Sequence, residues 1–133
     1  MKKQWIRMTR YIIDAYAWIA YLEGGNPKAK DIIETRENEL VTPILVYAEV
    51  ISKVQRKGMD YRIASEAILS NSTIAYINVE LASKAALFHA ETRQKVRDFS
   101  LPDAFVLATA RELNGRILTG DMHFKDFKEA VMI

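Results

Sequence analysis

The chain contains no cysteine. Disulfide bonds, thiolate zinc sites and cysteine nucleophiles are therefore excluded, and a reducing setting is favoured, so we expect the protein in the cytoplasm. No G-x-x-x-x-G-K motif occurs either, which excludes P-loop phosphate chemistry. Histidine is scarce, with only two residues, and the chain has no low-complexity tract and no internal repeat.

Long apolar runs are also missing. No segment approaches the ~18–20 uninterrupted apolar residues of a transmembrane helix, so we expect no membrane contact. Lys2 and Lys3 imitate the start of a signal peptide, but Arg7, Arg10 and Asp14 interrupt the apolar region that such a peptide needs. We expect residues 1–9 to form a loosely ordered extension.

What the chain does contain is the composition of one folded domain. Its 133 residues are 50% hydrophobic and 27% charged, which allows a sizeable core, and we expect a single domain over residues 1–133. The net charge is +2, from nineteen basic and seventeen acidic residues. This charge permits a polyanionic partner but does not require one.

Short apolar segments alternate with helical patterns along the chain. Strands are predicted at residues 11–13, 39–41, 73–77, 116–118 and 130–133. Helices are predicted from 15 to 23, 27 to about 37, 44 to about 57, 60 to about 69, 79 to about 97 and 100 to 114. This alternation predicts parallel β-α-β units with right-handed crossovers and helices on both faces of the sheet.

Four acidic residues stand where such a fold binds ligands, at the carboxyl ends of its strands. Asp14 and Asp121 each follow a predicted strand, and Asp103 opens a predicted helix after Pro102. Glu49 interrupts an otherwise apolar helix, so we expect it beside or inside the core, where an unpaired carboxylate is costly.

Each acid also has an ordinary structural explanation. Asp14 and Asp121 could cap the helical segments that follow them, and Asp103 completes the S-x-x-D capping-box pattern that starts at Ser100. Glu49 could belong to an exposed stripe of its helix. Taken together, however, converging carboxylates repel one another and persist only with protons or a cation between them. Without cysteine, and with two histidines, an oxygen-ligated Mg²⁺ or Mn²⁺ is the natural choice.

The acids lie in motifs that resemble those of the PIN-domain ribonucleases, and within them the VapC toxins. These motifs are Tyr11-Ile12-Ile13-Asp14, Tyr47-Ala48-Glu49-Val50, Leu101-Pro102-Asp103-Ala104 and Leu118-Thr119-Gly120-Asp121. The resemblance extends from residue 11 to residue 133. It implies a three-layer α/β/α sandwich with a mostly parallel five-stranded sheet.

The resemblance also implies a function. It implies an Mg²⁺- or Mn²⁺-dependent endoribonuclease in which Asp14, Glu49, Asp103 and Asp121 are the catalytic metal ligands and Thr119 supports the site. It further implies a homodimer, an antitoxin partner and an RNA substrate. One departure from the pattern is that Ala15 and Tyr16 follow Asp14, where many relatives carry a serine or threonine.

Other interpretations of the function remain open. A PIN-type domain that binds RNA or acts as a scaffold without cleaving is the main alternative. A phosphatase with an aspartyl nucleophile at Asp14 is disfavoured, because Tyr16 stands where the D-x-D pattern needs its second acid. His123 could touch a phosphate, but we expect it to be a solvated or packed loop residue.

Overall fold

The computed structural model describes residues 8–133. The elements, in chain order, are β1 (Arg10–Ile13), α1 (Ala15–Glu23), α2 (Pro27–Glu34), β2 (Glu39–Pro43), α3 (Ile44–Arg56), α4 (Tyr61–Asn71), β3 (Thr73–Ala75), α5 (Val79–Thr92), α6 (Leu101–Leu113), β4 (Arg116–Thr119), a 3₁₀ turn (Met122–Phe124) and β5 (Ala130–Met132). Residues 1–7 of the expected extension lie outside this range, whereas the carbonyl of Thr9 already accepts a hydrogen bond from the Glu39 amide at 2.9 Å.

The five strands form one parallel sheet in the order β3-β2-β1-β4-β5. The chain first moves from β1 to β2 and β3 on one side, then returns to β4 and β5 on the other. Right-handed crossovers therefore place α1–α4 on one face and α5 and α6 on the opposite face. This is the expected α/β sandwich, and the strand order reverses between β1 and β4, where such folds bind ligands.

Local capping explains several helix boundaries. The side chain of Asn26 accepts a hydrogen bond from the Ala29 amide at the start of α2, and Asn78 does the same for Leu81 at the start of α5. Gly24 ends α1 in the left-handed conformation, with a φ of 77°. The helix starts and the end of the first helix were predicted from these capping and helix-terminating residues.

Several predicted boundaries were wrong, among them the end of α2, which lies at Glu34 instead of residue 37. Strand β2 continues to Pro43, because residues 41–43 pair with β3. Strand β3 ends at Ala75, so the apolar and aromatic run up to residue 77 overestimates it, and Tyr76 is exposed. Helix α5 ends at Thr92 instead of residue 97, and a series of turns leads on to the buried Phe99.

The core lies on both faces of the sheet and is mostly aliphatic. Its largest fully buried side chains are Trp18, Phe99 and Phe124. Trp18 also has a polar group to satisfy, and its indole Nε1 donates to Thr42 Oγ1 at 3.0 Å. Thr42 Oγ1 is in turn 2.7 Å from Ser72 Oγ, so one hydroxyl joins α1, β2 and the end of α4.

Across residues 8–133, no helix combines the length and apolar character needed to cross a bilayer.

This buried hydrogen bond generates a first prediction. Thr42→Val keeps the shape of the side chain but leaves the Trp18 N–H without its partner, which should lower the free energy of unfolding by about 1–3 kcal/mol. Urea unfolding followed by fluorescence measures the change as a lower midpoint at an unchanged slope. Thr73→Val on the exposed start of β3 is the matched control, and equal effects of the two variants would contradict the assignment.

Candidate metal centre

Asp14 follows β1 at the point where β1 pairs with β4. Its amide continues the ladder by donating to the Leu118 carbonyl at 3.0 Å. The residue is 7% exposed, and its carboxylate accepts a hydrogen bond from Thr119 Oγ1 at 2.8 Å. Although Asp14 occupies the N-cap position of α1, its carboxylate makes no capping bond. The carboxylate instead faces the end of the neighbouring strand.

Thr119 connects this carboxylate to the segment after β4. The fully buried Thr119 hydroxyl donates to Asp14 and accepts from the Asp121 amide at 2.9 Å. Both hydrogen-bonding functions of the hydroxyl are used. A single side chain therefore sets the position of Asp14 and of the backbone that carries Asp121.

Asp103 is held by the start of α6. Its amide donates to Ser100 Oγ at 3.1 Å, and its Oδ2 accepts from the Ser100 amide at 2.9 Å, which is the predicted capping box. The side chain is only 11% exposed. Capping leaves room for another partner, because the same Oδ2 lies 3.1 Å from His123 Nδ1. Capping and convergence with other functional groups are therefore both features of Asp103.

His123 was misjudged from the sequence as an ordinary loop residue. Its Nδ1 lies 3.1 Å from Asp103 Oδ2 and 3.3 Å from Asp121 Oδ1. The adjacent Phe124 explains this position, because its fully buried ring packs edge-on against Phe99 at a centroid distance of 5.8 Å. The two rings join the segment after β4 to the segment before α6. The dipeptide His123-Phe124, a polar residue beside an aromatic anchor, was the signal in the sequence.

Asp103, Asp121 and His123 together form a compact donor cluster. One donor atom from each residue lies within 4.8 Å of the other two. Two carboxylate oxygens and one imidazole nitrogen are a suitable donor set for a divalent ion, and donor atoms at right angles around an ion about 2.1 Å away are about 3 Å apart. The spacing of the cluster thus fits a divalent metal. Neither Asp14 nor Glu49 belongs to it.

Glu49 was expected beside or inside the core, and this expectation was wrong. The face of α3 that carries Val46, Val50 and Val54 is buried, and Glu49 lies outside that stripe and is exposed. It borders a groove of about 550 Å³, lined by Ala15, Leu45, Ala48, Glu49, Ser52, Lys53, Arg56 and Pro102. The groove runs between the starts of α1 and α6, so Glu49 borders the same region as Asp14 and Asp103.

Electrostatics link the four acids even where their oxygens do not touch. Burial raises the pKa of Asp14 to about 7; the hydrogen bond from Thr119 opposes this rise, and the charges of Asp103 and Glu49 add to it. The groove wall displaces part of the water around the exposed Glu49 carboxylate, and this desolvation raises its pKa. Asp103 raises the pKa further, although Lys53 partly offsets the effect. The charged carboxylates therefore repel one another, and a bound cation would offset this repulsion.

The sequence matches the PIN domain family over residues 11–130. The chain belongs to the PIN domain family. No curated protein matches the sequence at a significant level. Solved structures with the same fold also match this PIN domain.

Three solved structures illustrate this likeness. A toxin–antitoxin complex from Klebsiella pneumoniae shares 22% identity with a TM-score of 0.72, over 92% of this chain and 96% of that chain. VapC20 of Mycobacterium tuberculosis, a sarcin-ricin loop cleaving toxin, shares 18% with a TM-score of 0.68, over 90% and 92%. VapBC2 from Rickettsia felis, bound to a DNA fragment from its promoter, shares 16% with a TM-score of 0.75, over 94% and 98%. At these low identities the TM-scores show a shared fold.

The raised pKa of Asp14 generates a prediction about the metal-free PIN domain. In the unfolded chain Asp14 loses its proton near pH 4, whereas in the folded chain it keeps it to about pH 7. Between these values the folded state binds more protons, so stability falls as the pH rises through this window. At pH 8 in EDTA, Asp14→Asn should therefore raise the free energy of unfolding by up to about 4 kcal/mol.

The comparison that isolates this effect is the difference between variant and wild type at several pH values. The gain from Asp14→Asn should be small near pH 4 and full above pH 7. Asp31→Asn, which changes an exposed aspartate on α2, should show no such trend. A loss of stability in Asp14→Asn at pH 8 would show that the charged carboxylate is stabilised in the fold.

Proposed function

We propose that this PIN domain is a metal-dependent endoribonuclease that hydrolyses RNA phosphodiester bonds, and that it is the toxin of a toxin–antitoxin pair. The observation that carries the proposal is the convergence of Asp103, Asp121 and His123 beside the buried Asp14. Carboxylates gathered at the strand-order reversal of an α/β sheet suit a bound divalent cation. The expected cofactor is Mg²⁺ or Mn²⁺.

The roles of the residues follow from their positions. Asp103 and Asp121, with His123, would hold the ion, and Asp14 and Glu49 would complete the acidic set directly or through water. When bound, such an ion polarises a phosphoryl oxygen and lowers the pKa of a coordinated water. Thr119 holds the Asp14 carboxylate and the Asp121 backbone in position through its two hydrogen bonds. No side-chain nucleophile is required for this chemistry.

The groove beside Glu49 suits the phosphates of the substrate. Lys53 and Arg56 line this groove together with Glu49, and both are exposed. Neither forms an ion pair with another residue of the described range 8–133. Two positive charges next to an acidic centre would attract an RNA backbone that the carboxylates alone repel.

The neighbours support the choice of substrate and partner. VapC20 is described as cleaving the sarcin-ricin loop, and the Klebsiella and Rickettsia structures are toxin–antitoxin assemblies. We extend both properties to this chain, with an antitoxin as inhibitor and the cytoplasm as the site of action. We also propose a homodimer, for which α4 offers exposed apolar side chains, among them Ile63 and Leu69.

Cleavage tests the proposal directly. Purified protein should cut single-stranded or structured RNA with Mg²⁺ or Mn²⁺ and stop when EDTA is added. Asp103→Asn and Asp121→Asn should each lower the cleavage rate by more than about 100-fold, because each removes a charged ligand from the cluster. Denaturing gel electrophoresis of an end-labelled RNA measures the rate.

Asp31→Asn is the matched control, since it removes one carboxylate charge from the exposed face of α2. Its rate should equal that of the wild type. Full cleavage by Asp103→Asn would reject the proposed centre. RNA binding by the wild type without cleavage, in any divalent metal, would instead support a PIN domain that binds RNA without cutting it.

His123 generates a separate prediction about the metal itself. An imidazole ligand favours Mn²⁺ over Mg²⁺, because nitrogen suits transition ions better than hard alkaline-earth ions. Pulsed electron paramagnetic resonance of the Mn²⁺ complex should therefore show coupling to a directly bound ¹⁴N nucleus. His123→Ala should abolish this coupling and weaken Mn²⁺ binding by about 10- to 100-fold in calorimetry.

The chain offers a clean control for this experiment, because His89 on α5 is its only other histidine. His89→Ala should keep both the nitrogen coupling and the Mn²⁺ affinity. Metal binding without any nitrogen coupling in the wild type would remove His123 from the set of ligands while leaving the carboxylate centre intact.

A further inference from the structure

The ring of Tyr16 lies directly against the backbone of Gly120. A methyl group placed on Gly120 would come within 2.1 Å of Tyr16 Cε1 and 2.5 Å of Tyr16 Cδ1. Gly120 is not among the glycines with a left-handed φ, so its backbone conformation does not require glycine. What the missing side chain permits is the close approach of the aromatic ring.

Tyr16 is not a core residue. It is 51% exposed, whereas Tyr11, Tyr21 and Tyr47 pack against the hydrophobic core. Within residues 8–133 its hydroxyl makes no hydrogen bond. The ring is therefore positioned by its contact with Gly120 and by its place on the first turn of α1, and a large part of it remains open to solvent.

The position of this ring relates it to the proposed centre. Tyr16 is two residues from Asp14 on α1, and Gly120 separates Thr119 from Asp121. The aromatic ring thus lies at the edge of the donor cluster. It packs on Gly120, whose two neighbours, Thr119 and Asp121, are hydrogen-bonded to each other. An RNA whose scissile phosphate lies at the cluster would bring a neighbouring nucleotide to this ring.

We propose that the exposed part of the Tyr16 ring stacks a nucleobase of single-stranded RNA next to the scissile phosphate. This inference rests on the proposed ribonuclease function. Unpaired bases present flat faces that stack on aromatic side chains, and such stacking is tolerant of base identity. An uncharged ring is also an attractive contact in a site whose carboxylates repel the phosphates. Tyr16 would accordingly favour an unpaired nucleotide at the cleavage position.

Equilibrium binding of a short fluorescein-labelled single-stranded RNA tests the proposal. The titration is done in Ca²⁺ after a gel has verified that the RNA stays intact. Tyr16→Ala should weaken binding by about 5- to 150-fold, the range seen for loss of one stacked base. Tyr16→Phe and Tyr16→Trp keep a planar ring and should bind nearly as tightly as the wild type.

Tyr76→Ala is the matched control, since Tyr76 is an even more exposed tyrosine, at 75%, on the segment after β3. It should leave RNA affinity unchanged. A series of RNAs, each with one base removed, then locates the contact. One abasic position should weaken binding to the wild type and have no additional effect in Tyr16→Ala.

Gly120→Ala provides an independent test of the ring position. The added methyl group has no room beside the tyrosine ring, so it should displace the ring and weaken RNA binding. In the Tyr16→Ala background the methyl group meets no ring, and its effect on RNA affinity should largely disappear. Circular dichroism of each variant verifies that the fold is retained.

Two results would overturn the inference. The first is wild-type RNA affinity in Tyr16→Ala when the wild type binds and cleaves RNA. The second is a change in the sedimentation mass of Tyr16→Ala without a change in RNA affinity, which would make this ring a protein–protein contact. If the wild type neither binds nor cleaves RNA in any divalent metal, the ribonuclease function itself fails, and the two failures are thus distinguished.

Discussion

The parallel pairing of β1 with β4 is the constraint on which the candidate site depends. Ile13 lies opposite Leu118, and the Asp14 amide continues the ladder to the Leu118 carbonyl. Because both strands end at the same edge, the residues that follow them meet there. At this edge the chain leaves β1 toward β2 and leaves β4 toward β5, in opposite directions along the sheet, so neither connection covers the gap between them. The pairing thereby creates both the meeting point of the acids and the access to it.

Convergence of these acids has an energetic cost that the surrounding structure offsets only in part. Asp14 is buried deeply enough for its pKa to reach about 7, even though Thr119 donates a hydrogen bond to it. The packing of Phe124 on Phe99 holds the segment after β4 close to α6 despite the repulsion between Asp103 and Asp121. A site with this electrostatic strain is less stable empty than a neutral one, which is a common property of functional centres.

Much of the fold could be predicted because its signals are local. Apolar strands, capping residues and helix-stop glycines specify element order over a few neighbouring residues. The errors arose where tertiary pairing overrides local preference. Strand β2 extends past residue 41 to Pro43 because residues 41–43 pair with β3, and the segment 76–77 has strand composition without a strand partner. Glu49 was misplaced because apolar neighbours on both sides concealed which narrow stripe of α3 is buried.

By itself the sequence determined the order of elements, the parallel sheet and the positions of the acids at its edge, because strand ends and helix starts are encoded by adjacent residues. Only the tertiary structure decided which groups touch. Thr119 and Asp14 are 105 residues apart, and His123 and Asp103 are 20 apart, and their hydrogen bonds depend on how everything between them packs. The same holds for the ring of Tyr16 on Gly120, since the approach of two segments within a few ångströms is a property of the whole fold.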